Sequence, residues 1–398
     1  MMDDSVAHGS APRPPRLTAL LARPWLFHVS FLQPLMIWIA WAQWRGLTAG
    51  LLNHRVVIAP DHLEGTGVLE FWVHGTQPWF DWVPFIHPPG YTVFMNISAA
   101  FAEFFGGFEQ AIFQQIFWQG LLCQLAVMAL LHWALGRWKG SGWGLLAAVL
   151  YGLSPNTLRP FEHYPLASLL SAFALVALVE WAQHWDRVRR RTAIVAVLVA
   201  VLLHLSIWFL VGGLVAGLFF LIPQRRREVA VAALMMIGLF FLTTYPGLYR
   251  VLAGGPGDQE SPVAGTLTLE WTNPALLLCS FCVFLPWLWS QRVGLALGCS
   301  VLLFAGVTLG LQFLQVADGQ PYPFSLHYFE LAEPTMVVSS VWGLASLRGL
   351  ESTRLRSTAG LLTAGLLVSQ VGFFIYCQKW VFLNIHWFWM LLNPFGGL

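Results

Sequence analysis

The sequence predicts an all-α polytopic membrane protein, and three observations carry that prediction. Charged residues make up only 10% of the 398 and hydrophobic residues 57%, against about 25% charged in a water-soluble chain. Apolar stretches close to the roughly 20 residues that a bilayer crossing needs recur along the chain. Arginines, finally, cluster at alternate ends of those stretches, while carboxylates collect at the other ends. The net charge of +2 and the lack of a basic stripe on a soluble fold exclude a nucleic-acid partner.

The apolar stretches run over residues 25–44, 113–135, 143–158, 165–184, 192–222, 230–246, 273–290, 293–314, 328–346 and 358–377. The stretch 192–222 is too long for one ordinary crossing. Arg187, Arg189, Arg190 and Arg191 precede it and Arg225, Arg226 and Arg227 follow it. Two basic ends on one face require an even number of crossings, so the stretch is expected to break near His204–Ser206 into two helices. That gives about 11 transmembrane helices.

Residues 87–107 are apolar enough to cross but contain Asn96, Ser98, Glu103 and two prolines. A crossing there would invert every later loop, so the segment is expected to lie along the outer interface. With a cytoplasmic N-terminus, sixteen of the 21 basic residues then fall inside, and thirteen of the 19 acidic residues fall outside. The expected organisation is a cytoplasmic tail (1–24), a transmembrane domain (25–377) with outer loops 45–110 and 246–273, and an outer interfacial tail (378–398) bearing Trp380, Trp387 and Trp389. The first stretch reads as a retained anchor, because Ala40-Trp41-Ala42 followed by Arg45 is a poor cleavage site.

Chemistry is expected on the outer face, where carboxylates, histidines and aromatics gather. The first outer loop holds Asp61, His62, Glu64, Glu70, His74, Asp81 and the run His87-Pro88-Pro89-Gly90-Tyr91. A carboxylate at the membrane surface suits a general base for a hydroxyl acceptor, and nearby cations suit a departing phosphate.

The order of these features resembles the GT-C membrane glycosyltransferases, most of all the dolichyl-phosphate-mannose-protein mannosyltransferase and aminoarabinose transferase branch. Four stretches carry the likeness: Ala59-Pro60-Asp61-His62-Leu63-Glu64, His87 to Tyr91, Ser154-Pro155 through Phe161-Glu162-His163-Tyr164, and Leu326-His327-Tyr328-Phe329-Glu330-Leu331-Ala332-Glu333-Pro334. The resemblance implies a GT-C-like fold and inverting sugar transfer from a polyprenyl-phosphate donor to a lipid, glycan or protein acceptor on the extracytoplasmic face. It implies Asp61 as the catalytic base and His87, Arg159 and His163 as the donor-phosphate residues, with Glu64, Tyr91, Glu162, His327 and Tyr328 orienting substrate. The sequence departs from the pattern where His62 follows Asp61 in place of a second acid and where His163 stands in place of an arginine. Two other readings fit the same residues: a transporter or lipid flippase, and a noncatalytic GT-C-like scaffold. The near absence of charge within most stretches counts against transport.

The remaining features have plainer readings. Five cysteines, including Cys279 and Cys282 in C-x-x-C spacing, lie in apolar stretches and read as packing residues. Most of the 21 tryptophans read as interfacial belt residues. Glu180 is expected to pair with Arg187, and the stretch Ala253 to Gly257 reads as an outer loop. No Asp-x-Asp pair or metal-spaced histidine set occurs in an outer loop, so no metal ligand is assigned and a divalent cation at the donor stays open. Two lysines against nineteen arginines fit a GC-rich bacterial genome, and hence an inner (plasma) membrane.

Overall fold

The computed structural model describes residues 108–154, 164–204, 207–238, 273–318 and 329–383. All regular structure among them is helical. The α-helices are α1 (Phe108–Lys139), α2 (Ser141–Gly152), α3 (Tyr164–His184), α4 (Arg187–Leu203) and α5 (Ile207–Leu221). They continue with α6 (Pro223–Gly238), α7 (Pro274–Ser280), α8 (Arg292–Asp318), α9 (Phe329–Arg348) and α10 (Thr353–Leu383). Helices α3, α8 and α10 each contain a stretch long and apolar enough to cross a membrane. The first predicted crossing, the interfacial helix 87–107 and most of both long outer loops lie outside the described residues.

Helix α9 is the axis of the bundle. It packs against α1, α2, α3, α5, α7, α8 and α10, and its side chains from Leu331 to Ala345 are buried. Twenty residues at about 1.5 Å each give roughly 30 Å, the hydrocarbon thickness of a bilayer. In such an interior every polar group needs a partner within the protein. Ser339 Oγ accordingly donates to the Ser280 carbonyl (2.7 Å) and Ser340 Oγ to the Leu276 carbonyl (3.2 Å), both on α7. Pro334 lies inside α9 and cannot supply the N–H of a regular turn. In that turn the Leu331 carbonyl accepts from Ser171 Oγ of α3 at 3.3 Å.

Basic residues gather at one end of this bundle. There Lys139, closing α1, donates to Ser346 Oγ near the end of α9 (3.1 Å) and lies 3.9 Å from the centre of the Trp342 ring. Glu180 on α3 accepts from Trp138 Nε1 at 2.8 Å and pairs with Arg137 and Arg189 at 3.7 and 3.5 Å. The expected partner was Arg187; the helix phase brings Arg189 to Glu180 instead. Asp186 caps α4 by accepting from the Arg189 N–H at 2.8 Å and also bonds the Arg189 guanidinium. These bonds, the backbone one first, hold the Asp186 carboxyl below its ordinary range. The Arg225 guanidinium lies 5.5 Å from the Trp185 ring, so the start of α4 and the end of α5 share this end. The expected break in 192–222 is therefore present: α4 stops at Leu203, His204 is extended, and α5 begins at Ile207.

Three stretches differ from the sequence expectation. Helix α2 has 12 residues, about 18 Å and too short for an ordinary crossing; Pro155, one residue past Ser154, disfavours helix there. The stretch 273–290 is a seven-residue α-helix followed by two 3-10 turns, Phe281–Phe284 and Pro286–Leu288. Pro286 could not donate to the Cys282 carbonyl in an α-helix, and Leu285 N–H does so instead at 3.1 Å. The stretch 230–246 is entered by α6, which starts seven residues earlier at Pro223 and turns 106° from α5. Pro at the first helical position permits that new start.

Helices α5 and α8 pack through Gly213 and Gly217, a small-xxx-small pair. A Cβ on Gly213 would lie 2.7 Å from Ser300 Cα, and one on Gly217 would lie 2.8 Å from Ala296 Cα. Ser300 Oγ also reaches the Leu210 carbonyl at 2.5 Å. Gly217→Leu is therefore expected to force α5 from α8 and cost about 1–3 kcal/mol or more by overpacking, read as a lower melting temperature in detergent. Gly212→Leu serves as the control, since a Cβ there meets nothing closer than 4.0 Å.

Lys139 lies beyond the apolar stretch of α1, and burial lowers its pKa to about 8 from 10.5. Between these values the unfolded chain binds more protons than the folded one, so stability rises as pH increases from about 8 towards 10.5. The melting temperature of the wild type is expected to gain on that of Lys139→Met over this interval. A constant difference between the two would contradict a desolvated Lys139.

Candidate functional site at the acid-bearing end

The opposite end of the bundle holds a buried polar cluster. Helix α2 ends there with a free C-terminal turn, whose carbonyls need donors. Gln370, buried on α10, supplies them: its Nε2 donates to the Leu150 carbonyl at 3.0 Å and the Leu153 carbonyl at 3.3 Å. Its Oε1 accepts from Asn273 Nδ2 at 2.8 Å. Asn273 in turn caps α7 by accepting from the Ala275 N–H (2.9 Å), and it also accepts from Ser369 Oγ at 3.1 Å. One amide on α10 thereby ties together the end of α2 and the start of α7.

One residue further, Ser154 Oγ donates to Glu333 Oε2 on α9, and both residues are buried. Glu333 lies just past the first turn of α9, beside Pro334. A carboxyl group in a helix interior surrounded by apolar side chains is costly without a donor, and Ser154 provides one. Ser171 of α3, bonded to the Leu331 carbonyl, lies one helical turn away along α3 from the buried Ser168. The end of α2, the starts of α3, α7 and α9 and the middle of α10 thus converge at this end of the bundle.

All nine residues assigned from sequence lie outside the described residues: Asp61, Glu64, His87, Tyr91, Arg159, Glu162, His163, His327 and Tyr328. What the structure fixes is the framework that brackets four of the loop positions and Tyr328. Ser154 and Tyr164 flank Arg159, Glu162 and His163, and Phe329 follows His327 and Tyr328 directly. Glu333, Asn273 and Gln370 were not assigned roles from sequence. Their signal was available in part: each is a hydrogen-bonding side chain within or at the edge of an apolar stretch, where such groups are expensive. No three His, Cys, Asp or Glu residues among the described ones are grouped to hold a metal ion.

No protein-family model matches the chain, and no curated protein matches it. Solved structures of one bacterial protein are among those similar to it. ArnT from Cupriavidus metallidurans in the apo state is 14% identical over 96% of this chain and 78% of that chain, with a TM-score of 0.49. The same protein bound to undecaprenyl phosphate is 15% identical over 92% and 76%, with a TM-score of 0.47. Likeness at this level identifies neither a family nor a reaction.

The Ser154 and Glu333 side chains are expected to be energetically coupled. Ser154→Ala and Glu333→Leu should each cost about 1–3 kcal/mol by leaving a buried polar group short of its partner. The double variant should cost clearly less than their sum, because both polar groups are then gone. Thermal unfolding of the four proteins in one detergent measures the coupling; strict additivity would show that the bond contributes nothing.

Proposed function

We propose that this protein is an integral membrane glycosyltransferase that moves a sugar from a polyprenyl-phosphate donor to a lipid, glycan or protein acceptor on the extracytoplasmic face, with inversion. The observation that carries the reading is the separation of the two ends. Arginines of six helix termini occupy one end, and the buried Ser154, Glu333, Asn273 and Gln370 cluster organises the other. By the distribution of positive charge, the arginine end faces the cytoplasm and the acid-bearing end the periplasm. The sequence motifs that resemble the GT-C enzymes adjoin the second end at Ser154 and Phe329.

The chemistry follows from the donor. A polyprenyl chain stays in the bilayer, so its phosphate sits at headgroup level and the acceptor must be brought there. In this reading Asp61 removes the proton of the acceptor hydroxyl as that oxygen attacks the anomeric carbon. The bond from that carbon to the phosphate oxygen breaks on the opposite side, and the polyprenyl phosphate departs with the bonding pair. Arg159, His87 and His163 offset the charge that develops on the leaving phosphate. Glu64, Tyr91, Glu162, His327 and Tyr328 orient donor and acceptor. Two histidines in that set make leaving-group stabilisation weaken as pH rises through their titration, since a neutral imidazole gives no cationic help.

Asp61→Asn is expected to leave the amount of protein in the membrane unchanged and to lower transfer by at least about a hundredfold, the usual contribution of a positioned base. The measurement compares lipid-linked and surface glycans of a deletion strain complemented with wild type or variant. Accumulated donor with loss of one surface sugar is the expected pattern. Full complementation by the Asn variant would remove Asp61 from the base role, and unchanged pools in the deletion strain would remove the transferase reading.

A further inference from the structure

We propose that the corner between α3 and α4, together with the start of α6, binds the phosphate headgroups of anionic phospholipids in the adjoining leaflet. Two arginine runs far apart in sequence meet here. Arg187, Arg189, Arg190 and Arg191 open α4, and Arg225, Arg226 and Arg227 lie at the start of α6. Trp185 joins them: its ring lies 5.5 Å from the Arg225 guanidinium and 5.2 Å from the Trp181 ring, edge-on.

The arginines divide into those with partners and those without. Arg189 is held by Asp186 and Glu180, and Arg225 by Glu228 at 2.6 Å. Arg226 donates to the Phe219 carbonyl at 3.2 Å and lies over the Phe219 ring. The side chains of Arg187, Arg190, Arg191 and Arg227 make no hydrogen bond or ion pair among the described residues. Positions 187, 190 and 191 are three and four apart, hence on one face of α4. Asp186 caps the start of α4 through the Arg189 N–H, and the attraction is assigned to the free guanidinium groups, whose paired N–H donors match phosphate oxygens.

Two features point to a lipid as the source of the phosphate. Large apolar side chains are exposed among these arginines, Val188 at 73% and Phe220 at 69%. Charge beside exposed hydrocarbon fits the boundary between headgroups and acyl chains. Trp185, moreover, has φ 55°, the left-handed conformation in which helices usually end on glycine. A bulky residue stands there against backbone strain, and what it supplies is a ring beside Arg225 two residues before the first run begins at Arg187.

The test uses the full-length protein purified in detergent, with mixed micelles of dioleoyl-phosphatidylglycerol or dioleoyl-phosphatidylcholine as probes and native mass spectrometry as the readout. The wild type is expected to retain phosphatidylglycerol about tenfold or more over phosphatidylcholine, in line with roughly a fewfold gain per basic residue at the surface. The variant Arg187→Gln/Arg190→Gln/Arg191→Gln/Arg227→Gln should lose most of that preference with an unchanged melting temperature, because these side chains bond nothing in the protein. Trp185→Gly should lose preference too, although its backbone is relieved of strain. Equal retention of both lipids by the wild type, or full preference in the quadruple variant, would overturn the proposal. So would displacement of the lipid by inorganic phosphate at matched concentration, which would assign the site to the free ion.

Discussion

The absence of water in the bilayer interior is the constraint on which this structure depends. A backbone or side-chain polar group placed there is costly unless it finds a partner within the protein, and α9 meets that demand at several positions, although the buried Trp342 indole N–H has no hydrogen-bond partner among the described residues. Ser339, Ser340 and Glu333 on that one helix bond to α7 and α2, and its Leu331 carbonyl takes a donor from α3. Because the helix is enclosed on all sides, each bond also fixes the height of a neighbouring helix. Apolar packing alone would let helices slide, since lipid tails are as apolar as leucine. The hydrogen bonds and the glycine contacts between α5 and α8 set the register.

The same constraint sorts the two ends into different tasks. At the arginine end, charges neutralise one another in an extended network around Glu180, which three helices supply. Such a network, partly exposed, contributes modestly to stability but ties α1, α3 and α4 together. At the other end amides and hydroxyls do the joining among the described residues. Gln370 serves both as donor to the last carbonyls of α2 and as acceptor from Asn273. The end of α2 and the start of α7 are thereby held in fixed relation beside the loops that carry the proposed chemistry. A rigid base of this kind is what a site assembled from several loops requires, because the loops themselves cannot hold reacting groups to the needed precision.

How much of this could be read from sequence follows from what periodicity and charge encode. The break at His204 was legible because two arginine clusters bounded a stretch too long for one crossing, and α4 and α5 divide there. Helices α3, α8, α9 and α10 were legible from apolar length. The shortness of α2 and the 3-10 path after Ser280 were only half legible: Pro155 and Pro286 stand in the sequence, but prolines are tolerated in membrane helices whose neighbours re-satisfy the backbone. The pairing of Ser154 with Glu333 was not legible, although both lay in the motifs singled out. Hydropathy records that an acid stands near the start of a crossing; it does not record which of many hydroxyls arrives beside it from 179 residues away. For the same reason Glu180 was matched to Arg187 by nearness in sequence, whereas helix phase gives it Arg189.

Trp185 shows where local rules stop being informative. Its position after α3 calls for glycine by backbone preference, and a left-handed tryptophan costs about 1–3 kcal/mol. The cost is offset only through contacts that the local sequence does not contain: Trp181 one turn back, and Arg225 forty residues on. A residue held against its backbone preference points to a tertiary requirement, here the joining of the α3–α4 corner to the start of α6. The acid-bearing end contains no such outlier among the described residues. Its geometry is set instead by hydrogen bonds such as those of Gln370 and Asn273, which hold helix ends in place without strain.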